Sequence, residues 1–407
     1  MEKLVLMKKK LAYFFSLLLC LFFAGFAAQV QALPQNKLLA LHVALDAQGQ
    51  LWRVVQSNGL IEVDVSADLG KTFSAPMLIN PTAQKTDTSN ATRPVLAIGP
   101  EGNIYVAWTE VLKTAQTAHI WLTRSIDGGK TFERPTMLYQ DEAKVLGGLA
   151  ALNVSQSAIT VLWLKKRDGI LDKGAERISQ SAAIYYAVST NQGLTFEAEQ
   201  KLADSHCVDC RIALTNKMDG TVVMMWLDQI EGDKHDYKMT ELPKIVGQLP
   251  IIKRATFGRW RLGGCAQNSA ALAIGGQDKN WWGYHMAWFE GGKGDFGKDI
   301  ALFYARVDGE AWVSSPAKKV GNFHKQQTNV ALLSLDDAVW LIWTETEATG
   351  ARIVGLHSAD GGRSWSDSKV LAVSNGAAGF PQLLTHHQHV YLVWNTEKEN
   401  LQVITLQ

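Results

Sequence analysis

Short apolar segments of four to eight residues recur along the chain and are bounded by Gly, Asp and Asn. Most are preceded by another short strand-like segment, so the pattern predicts seven strand pairs. No long amphipathic helical pattern follows residue 32, and we therefore expect an all-β fold. The segments contain a repeated tryptophan, at Trp108, Trp163, Trp226, Trp288, Trp343 and Trp394, with Trp52 as a shifted first copy.

A second repeat is an eight-residue turn motif, Ser-x-Asp/Asn-x-Gly-x-Ser/Thr-aromatic, which starts at Ser66, Ser125, Ser189 and Ser358. The Asp or Asn oxygen can accept backbone N–H groups of its own turn. The glycine supplies a positive φ at little steric cost, and the aromatic ring anchors the turn in apolar packing. We therefore assign a structural role to the third residue of each copy, which is Asp68, Asp127, Asn191 and Asp360.

The spacing of the motif indicates a repeat architecture. The first three copies are 59 and 64 residues apart, and 169 residues separate the third from the fourth, close to three repeats. A shortened copy at residues 306–312 occupies part of that gap. A fixed period of this size, filled with short strands, is typical of a β-propeller.

This motif is the Asp-box, and the chain resembles the sialidase-like, or BNR-repeat, β-propellers, including uncharacterised secreted bacterial members. The seven strand pairs predict seven blades, with the six blades of sialidases proper as the alternative. Only 13 residues follow Trp394, enough for one more strand but not two. We therefore expect an N-terminal strand, near residues 36 to 40, to complete the last blade and close the ring.

Residues 1–32 read as a secretory signal peptide, with a basic start, an apolar run at 11–28 and a small-residue cleavage site at 30–32. An uncleaved membrane anchor is the alternative, because 18 apolar residues could just span a bilayer. Residues 33–407 contain no composition break and are expected to form a single propeller domain. The protein is then exported, to the periplasm or beyond, with no membrane span after cleavage.

Charge argues against nucleic acid as a partner. The formal net charge is +1, and removal of residues 1–32 leaves about −2. A chain so close to neutral has no long-range attraction for nucleic acid or anionic lipid. The sequence does not indicate an oligomeric state.

Three cysteines of the predicted domain lie just before the innermost strands of the fourth and fifth repeats: Cys207 and Cys210, beside His206, and Cys265. Such strands start close together at one face of a propeller. A disulfide between Cys265 and Cys207 or Cys210 is one interpretation in an oxidising compartment. A copper or zinc site, with His206 as a further ligand, is another. A local Cys207–Cys210 bridge or free thiols are the third.

The resemblance also suggests where a ligand would bind. Sialidases hold a substrate carboxylate with three arginines, the first in an Arg-Ile-Pro motif. The nearest matches are Arg93, followed directly by Pro94, and Arg211, followed by Ile212 but no proline. Both precede an innermost strand and are expected to face the channel, and a structural salt bridge is the alternative role for Arg93.

Other candidate ligand residues have weaker signals. Trp281 and Trp282 fall outside the tryptophan repeat and could line a ligand groove, with plain packing as the alternative. Sialidases use a Tyr nucleophile activated by a Glu, and Tyr391 and Glu397 are candidates for that pair by location alone.

Because the catalytic pattern is incomplete, the leading functional prediction is an exported propeller that binds a glycan, a protein partner or a metal. An exo-sialidase-like glycoside hydrolase is the first alternative. A periplasmic metal-handling or assembly factor is the second, with copper or zinc as the cofactor that the cysteines would suit.

Overall fold

The computed structural model describes residues 39–86, 93–112, 118–139, 147–156, 158–166, 182–205, 211–232, 234–243, 248–261, 270–275, 283–291, 300–322, 325–347 and 349–407. They all lie within one compact unit, Gln35–Gln407. They form antiparallel sheets whose strands follow one another in chain order. No helix in this part of the chain is long and apolar enough to cross a membrane.

Seven sheets, one per repeat, form the blades. Blade 1 contains β1 (His42–Leu45), β2 (Leu51–Ser57), β3 (Leu60–Ser66) and β4 (Met77–Leu78). Blade 2 contains β5 (Val95–Ile98), β6 (Ile104–Val111), β7 (Ala118–Ser125) and β8 (Thr136–Tyr139). Blade 3 contains β9 (Gly147–Val154), β10 (Ile159–Lys166), β11 (Ala182–Ser189) and β12 (Gln200–Ser205). Blade 4 contains β13 (Ala213–Asn216), β14 (Val222–Glu231), β15 (Lys234–Glu241), β16 (Lys253–Arg254) and β17 (Trp260–Arg261).

The remaining blades repeat the same order. Blade 5 contains β18 (Ala271–Ile274), β19 (Gly283–Glu290), β20 (Ala301–Asp308) and β21 (Lys318–Val320). Blade 6 contains β22 (Gln326–Leu335), β23 (Ala338–Glu347), β24 (Gly350–Ser358) and β25 (Lys369–Ser374). Blade 7 contains β26 (Gln382–His386), β27 (His389–Thr396) and β28 (Asn400–Thr405). The prediction of an all-β propeller with seven blades, rather than six, is confirmed.

The antiparallel order gives the ring two different faces. The first strand of each blade starts at one face, which we call the mouth face, and the turns between first and second strands lie at the other. The turns between third and fourth strands lie at that second face too, and because they include the Asp-boxes we call it the box face. Arg93 and Arg211 precede β5 and β13, so they belong to the mouth face.

The hydrophobic core lies mainly between neighbouring blades. The repeated tryptophans lie on the second strands of blades 2 to 7, and each of the six is at most 2% exposed. Trp108, for example, packs with Trp52 and Val54 of blade 1 and with Val106 of its own strand. Each blade therefore buries its tryptophan in an interface with a neighbour, as expected of a repeat unit that cannot bury its apolar faces alone.

The four Asp-boxes form the turns that the sequence predicts, between the third and fourth strands of blades 1, 2, 3 and 6. In the first, Asp68 Oδ1 accepts the Thr72 backbone N–H at 2.8 Å, and the Ser66 hydroxyl accepts the Gly70 N–H at 2.7 Å. Asn191 accepts the corresponding N–H of Thr195 at 3.0 Å. The shortened copy in blade 5 also forms a turn, in which Asp308 Oδ1 accepts the backbone N–H groups of Glu310 and Ala311.

Each box glycine has a second role that the motif alone does not indicate: it faces the preceding blade. An added Cβ would meet Trp52 of blade 1 at Gly129, and Tyr304 of blade 5 at Gly362. At Gly70 it would meet Leu401 of blade 7, so the same contact helps to close the ring. The glycine is therefore required for close approach of blades as well as for the turn.

Adjacent glycines in the second box provide a matched test of that role. Gly128 and Gly129 both have a positive φ (71° and 82°), but an added Cβ meets nothing at Gly128 and lies 2.1 Å from the Trp52 ring at Gly129. We expect Gly128→Ala to cost about 1–2 kcal/mol of unfolding free energy. Gly129→Ala should cost about 1–3 kcal/mol more because of the clash. Urea unfolding of both variants measures the difference, and equal losses would contradict the account.

The boxes also predict an acid dependence of stability. The Thr72 hydroxyl and backbone N–H hold the pKa of Asp68 at about 2, below its ordinary 3.8. Equivalent hydrogen bonds lower the pKa of Asp127 and of Asp360. A folded-state pKa below the unfolded value stabilises the fold above pH 4, and this contribution is lost as the pH falls towards 2.

We therefore expect the triple variant D68N/D127N/D360N to lose less unfolding free energy than the natural chain between about pH 5 and 2.5. Asn191 already accepts the same backbone bond, so the variant turns should form. Urea unfolding at several pH values in this range gives the unfolding free energy of each protein relative to its own value at pH 7. If the unfolding free energies of the two proteins fall equally as the pH is lowered, the box carboxylates do not cause the acid dependence.

The closing of the ring differs in part from the prediction. Leu39 and Ala40, the last two residues of the predicted N-terminal strand, form a 3₁₀ turn, while residues 36–38 lie outside the described residues. The carbonyl oxygen of Leu39 lies close to Gly379, since a Cβ added to Gly379 would be 2.4 Å from that oxygen. The turn therefore packs against blade 7. In the described chain, blades 1 and 7 are joined by the Val43 N–H, which donates to Gln382 Oε1 at 3.2 Å.

Candidate functional site

Two arginines from different blades meet one aromatic ring at the mouth face. The guanidinium carbon of Arg93, from blade 2, lies 4.9 Å from the centre of the Phe380 ring. That of Arg211, from blade 4, lies 4.4 Å from the same centre. Phe380 precedes the innermost strand of blade 7. The structure thus brings together residues 93, 211 and 380, as expected where strand starts converge on an axis.

Backbone constraints fix this cluster. Pro94 favours an extended conformation for Arg93, which directs the chain into β5. On the other side, Trp394 Nε1 donates to the Gly379 carbonyl at 3.0 Å, and the Gly379 N–H donates to the Asn395 carbonyl at 2.8 Å. Phe380 is therefore held against its own blade, and it is only 6% exposed. Its ring positions the two guanidinium groups by cation–π contact.

A histidine completes the cluster. The Leu96 N–H of blade 2 donates to Nδ1 of His42 on β1, at 3.4 Å. Burial, together with the charges of Arg93 and Arg211, lowers the pKa of His42 to about 3. The imidazole is therefore neutral near pH 7, and because Nδ1 accepts a hydrogen bond, Nε2 carries the proton and can donate.

The cluster is electropositive. Arg93 is 5% exposed, and its Nη1 has no hydrogen-bond partner among the described residues. Burial, and then the nearby Arg211, lower the pKa of Arg93 well below its ordinary value. Burial lowers the pKa of Arg211 to about 10. No described acidic residue contributes to either shift, so the described part of the chain supplies no counter-charge for the buried guanidinium of Arg93.

This arrangement suits an anion. Guanidinium groups present several N–H donors in a plane and bind carboxylate, sulfate or phosphate oxygens with charge-assisted hydrogen bonds. A neutral imidazole adds one N–H donor without adding charge. A bound anion would supply both the hydrogen-bond acceptor and the counter-charge that the described residues do not give to Arg93.

The tyrosine–glutamate pair predicted from location is not formed. Tyr391 lies near the start of β27 and Glu397 just past its end. At about 3.3 Å per strand residue they are roughly 20 Å apart. A different pair exists, in which Tyr284 Oη donates to Glu241 Oε1 at 3.0 Å, but it lies towards the box face. Burial and Glu241 raise the pKa of Tyr284, the opposite of what activates a nucleophile.

Six predicted site residues lie outside the described residues, so the disulfide, the metal site and the ligand groove stay predictions. They are His206, Cys207, Cys210, Cys265, Trp281 and Trp282.

Two members of the cluster were missed by the sequence analysis. Phe380-Pro381 precedes β26 just as Arg93-Pro94 precedes β5, so a residue-Pro pair at the start of an innermost strand was a usable signal. His42 is the first residue of β1, but no proline follows it, so this sequence signal does not identify it. Its role depends on Leu96 of the next blade, a contact that no local pattern encodes.

Comparison with known proteins agrees with this architecture. No protein-family model and no curated protein matches the sequence. Among solved structures, an ulvan lyase bound to -[GlcA(1-4)Rha3S]- is 11% identical, with a TM-score of 0.52 over 89% of this chain and 90% of that one. An α-L-arabinanase from Penicillium chrysogenum, with arabinobiose, is 11% identical with a TM-score of 0.47 over 92% and 96%. A single-residue mutant of the NanB sialidase from Streptococcus pneumoniae is 9% identical, with a TM-score of 0.47 over 89% of this chain and 84% of that one.

At these identities the likeness concerns the fold. The chain is a seven-bladed β-propeller with Asp-box turns, and it has an electropositive cluster of His42, Arg93, Arg211 and Phe380 at the mouth face.

Proposed function

We propose that the protein is an exported carbohydrate-binding propeller whose ligand carries a carboxylate, held at the mouth face by Arg93 and Arg211. The observation that supports this most strongly is Arg93 itself, a buried guanidinium with an unpartnered Nη1 and no acidic neighbour among the described residues. Maintaining such a charge costs stability, so a ligand that compensates it explains its presence. The ulvan lyase of similar fold was solved with a glucuronate-containing saccharide.

Binding rather than hydrolysis is favoured by the residues around the cluster. The predicted pair Tyr391 and Glu397 is separated by a whole strand. The Tyr284–Glu241 pair lies towards the other face, with its tyrosine pKa raised rather than lowered. The arginine cluster therefore has no described nucleophile of the sialidase kind beside it.

Calorimetric titration with matched sugars tests the proposal. We expect 3′-sialyllactose or cellobiuronic acid to bind, and their neutral counterparts lactose and cellobiose to bind at least about 30-fold more weakly, since a charge-assisted contact is worth about 2 kcal/mol or more. Equal affinities for the acidic and neutral members of a pair would refute a carboxylate site.

The same protein should not release the fluorophore from a fluorogenic sialoside. Turnover that disappears in Arg93→Met would make the protein an enzyme and would overturn the binding-only proposal. Export is tested separately, by sequencing the N-terminus of the protein recovered from its native compartment. A start at residue 33 is the expected result.

A further inference from the structure

The box face of blades 2 to 5 carries a row of connected clefts. One, of about 410 Å³, lies between blades 2 and 3 and is lined by Glu101 and Tyr105. It shares Ala158 and Thr190 with a cleft of about 280 Å³ between blades 3 and 4. That cleft in turn shares Asp219 with a third, of about 510 Å³, between blades 4 and 5. The three clefts therefore form one groove that crosses four blades on the face opposite the arginine cluster.

Large apolar side chains are exposed along this groove. Leu249 and Ile251, in the third cleft, are 84% and 74% exposed, and Met218, beside Asp219, is 80% exposed. Leu194 and Val313, next to the groove in the blade 3 and blade 5 turns, are also exposed. Within the described residues, the box-face turns of blades 1, 6 and 7 have no large apolar side chain exposed to this degree. Single exposed apolar residues need no explanation, whereas a contiguous set marks an interaction surface.

The groove is also acidic. Every cleft has a carboxylate, which is Glu101 in the first, Glu197 in the second and Asp219 where the second and third meet. Among the described residues, no lysine or arginine lines the first two clefts, whereas the third is balanced, with Lys217 and Lys253 against Asp219 and Glu241, and Lys217 pairs with Glu241 at 3.3 Å. A partner with basic side chains would therefore be attracted and one with acidic side chains repelled.

From the exposed apolar side chains of the groove and its excess of carboxylates, we propose that it binds an extended polypeptide segment of a partner protein that carries alternating apolar and basic side chains. An extended chain places successive side chains on opposite sides, so one set can pack on the exposed apolar side chains while the other meets the carboxylates of the clefts. This binding is independent of the ligand proposed at the mouth face.

The test uses a fluorescein-labelled twelve-residue peptide of alternating leucine and lysine, with leucine–glutamate and serine–lysine peptides of the same length as references. We expect fluorescence anisotropy to show binding of the leucine–lysine peptide, with the references weaker by about ten-fold or more. Leu249→Ser combined with Ile251→Ser should weaken binding of the leucine–lysine peptide by about ten-fold. Both residues are exposed, so this variant should unfold at the same urea concentration as the natural chain.

The matched control is Val370→Ser combined with Val373→Ser, two residues exposed at 52% and 53% on the outer strand of blade 6. It should leave peptide binding unchanged, and both variants should bind 3′-sialyllactose as the natural chain does. The proposal is overturned if the reference peptides bind equally well, or if both double variants lose the same affinity. It is also overturned if ultracentrifugation shows a dimer that the Leu249→Ser/Ile251→Ser variant alone dissociates, since the groove would then join two copies of this chain.

Discussion

Replacing Arg93 with methionine is expected to stabilise the protein and, at the same time, to abolish binding of acidic saccharides. Methionine fills a similar volume without a buried charge, and exchange of buried charged groups for apolar ones raises the unfolding free energy by about 1–3 kcal/mol. Loss of a buried charged donor from a ligand site costs about 2–5 kcal/mol, so affinity should fall about 30-fold or more. Urea unfolding and calorimetric titration with 3′-sialyllactose measure the two effects.

Arg259→Met is the matched control for this variant. Arg259 is an exposed arginine that forms an ion pair with Glu231 at the surface. Exposed pairs contribute little, so its replacement should change neither stability nor binding appreciably. If Arg93→Met instead unfolds more easily than the natural chain, Arg93 has a structural role and the ligand site loses its main support.

Trp108→Ala is expected to give the largest loss of stability of any single substitution considered. The Trp108 side chain is 0% exposed between blades 1 and 2, stacks on Trp121 at 6.5 Å, and donates from Nε1 to Gln84 Oε1 at 2.8 Å. Truncation removes this hydrogen bond and leaves a large cavity between the blades, and such changes cost about 3–5 kcal/mol. The urea midpoint measures the effect, because a cavity shifts the midpoint while leaving the slope unchanged.

Val370→Ala provides the comparison for Trp108→Ala. Val370 lies on the outer strand of blade 6 and is 52% exposed, so its truncation should change the unfolding free energy by no more than about 0.5 kcal/mol. Similar losses from the two substitutions would mean that the interfaces between blades do not dominate the stability of this propeller.

The fold could be predicted because its signals are local. The Ser66–Asp68–Gly70 turn and its three relatives satisfy their own hydrogen bonds, so they can be recognised within eight residues. The buried tryptophans recur because each blade buries the same strand against a neighbour. The closing strand was less predictable, since the turn at Leu39 packs against Gly379, which is distant in sequence.

Half of the candidate site could be predicted and half could not. Arg93 and Arg211 were found from their place before an innermost strand, which the repeat defines. His42 and Phe380 join them only through contacts between blades, and those depend on the whole ring. Tyr391 and Glu397 do not form a pair because an extended strand rises about 3.3 Å per residue, so two residues at its opposite ends are far apart.

A crystal structure of the protein with 3′-sialyllactose tests the account most directly. The account predicts the carboxylate at the mouth face beside Phe380, with oxygens about 2.7–2.9 Å from guanidinium nitrogens of both Arg93 and Arg211. A ligand bound elsewhere on the ring, or one bound at the mouth through its neutral sugars with Arg93 Nη1 still unpartnered, would contradict it.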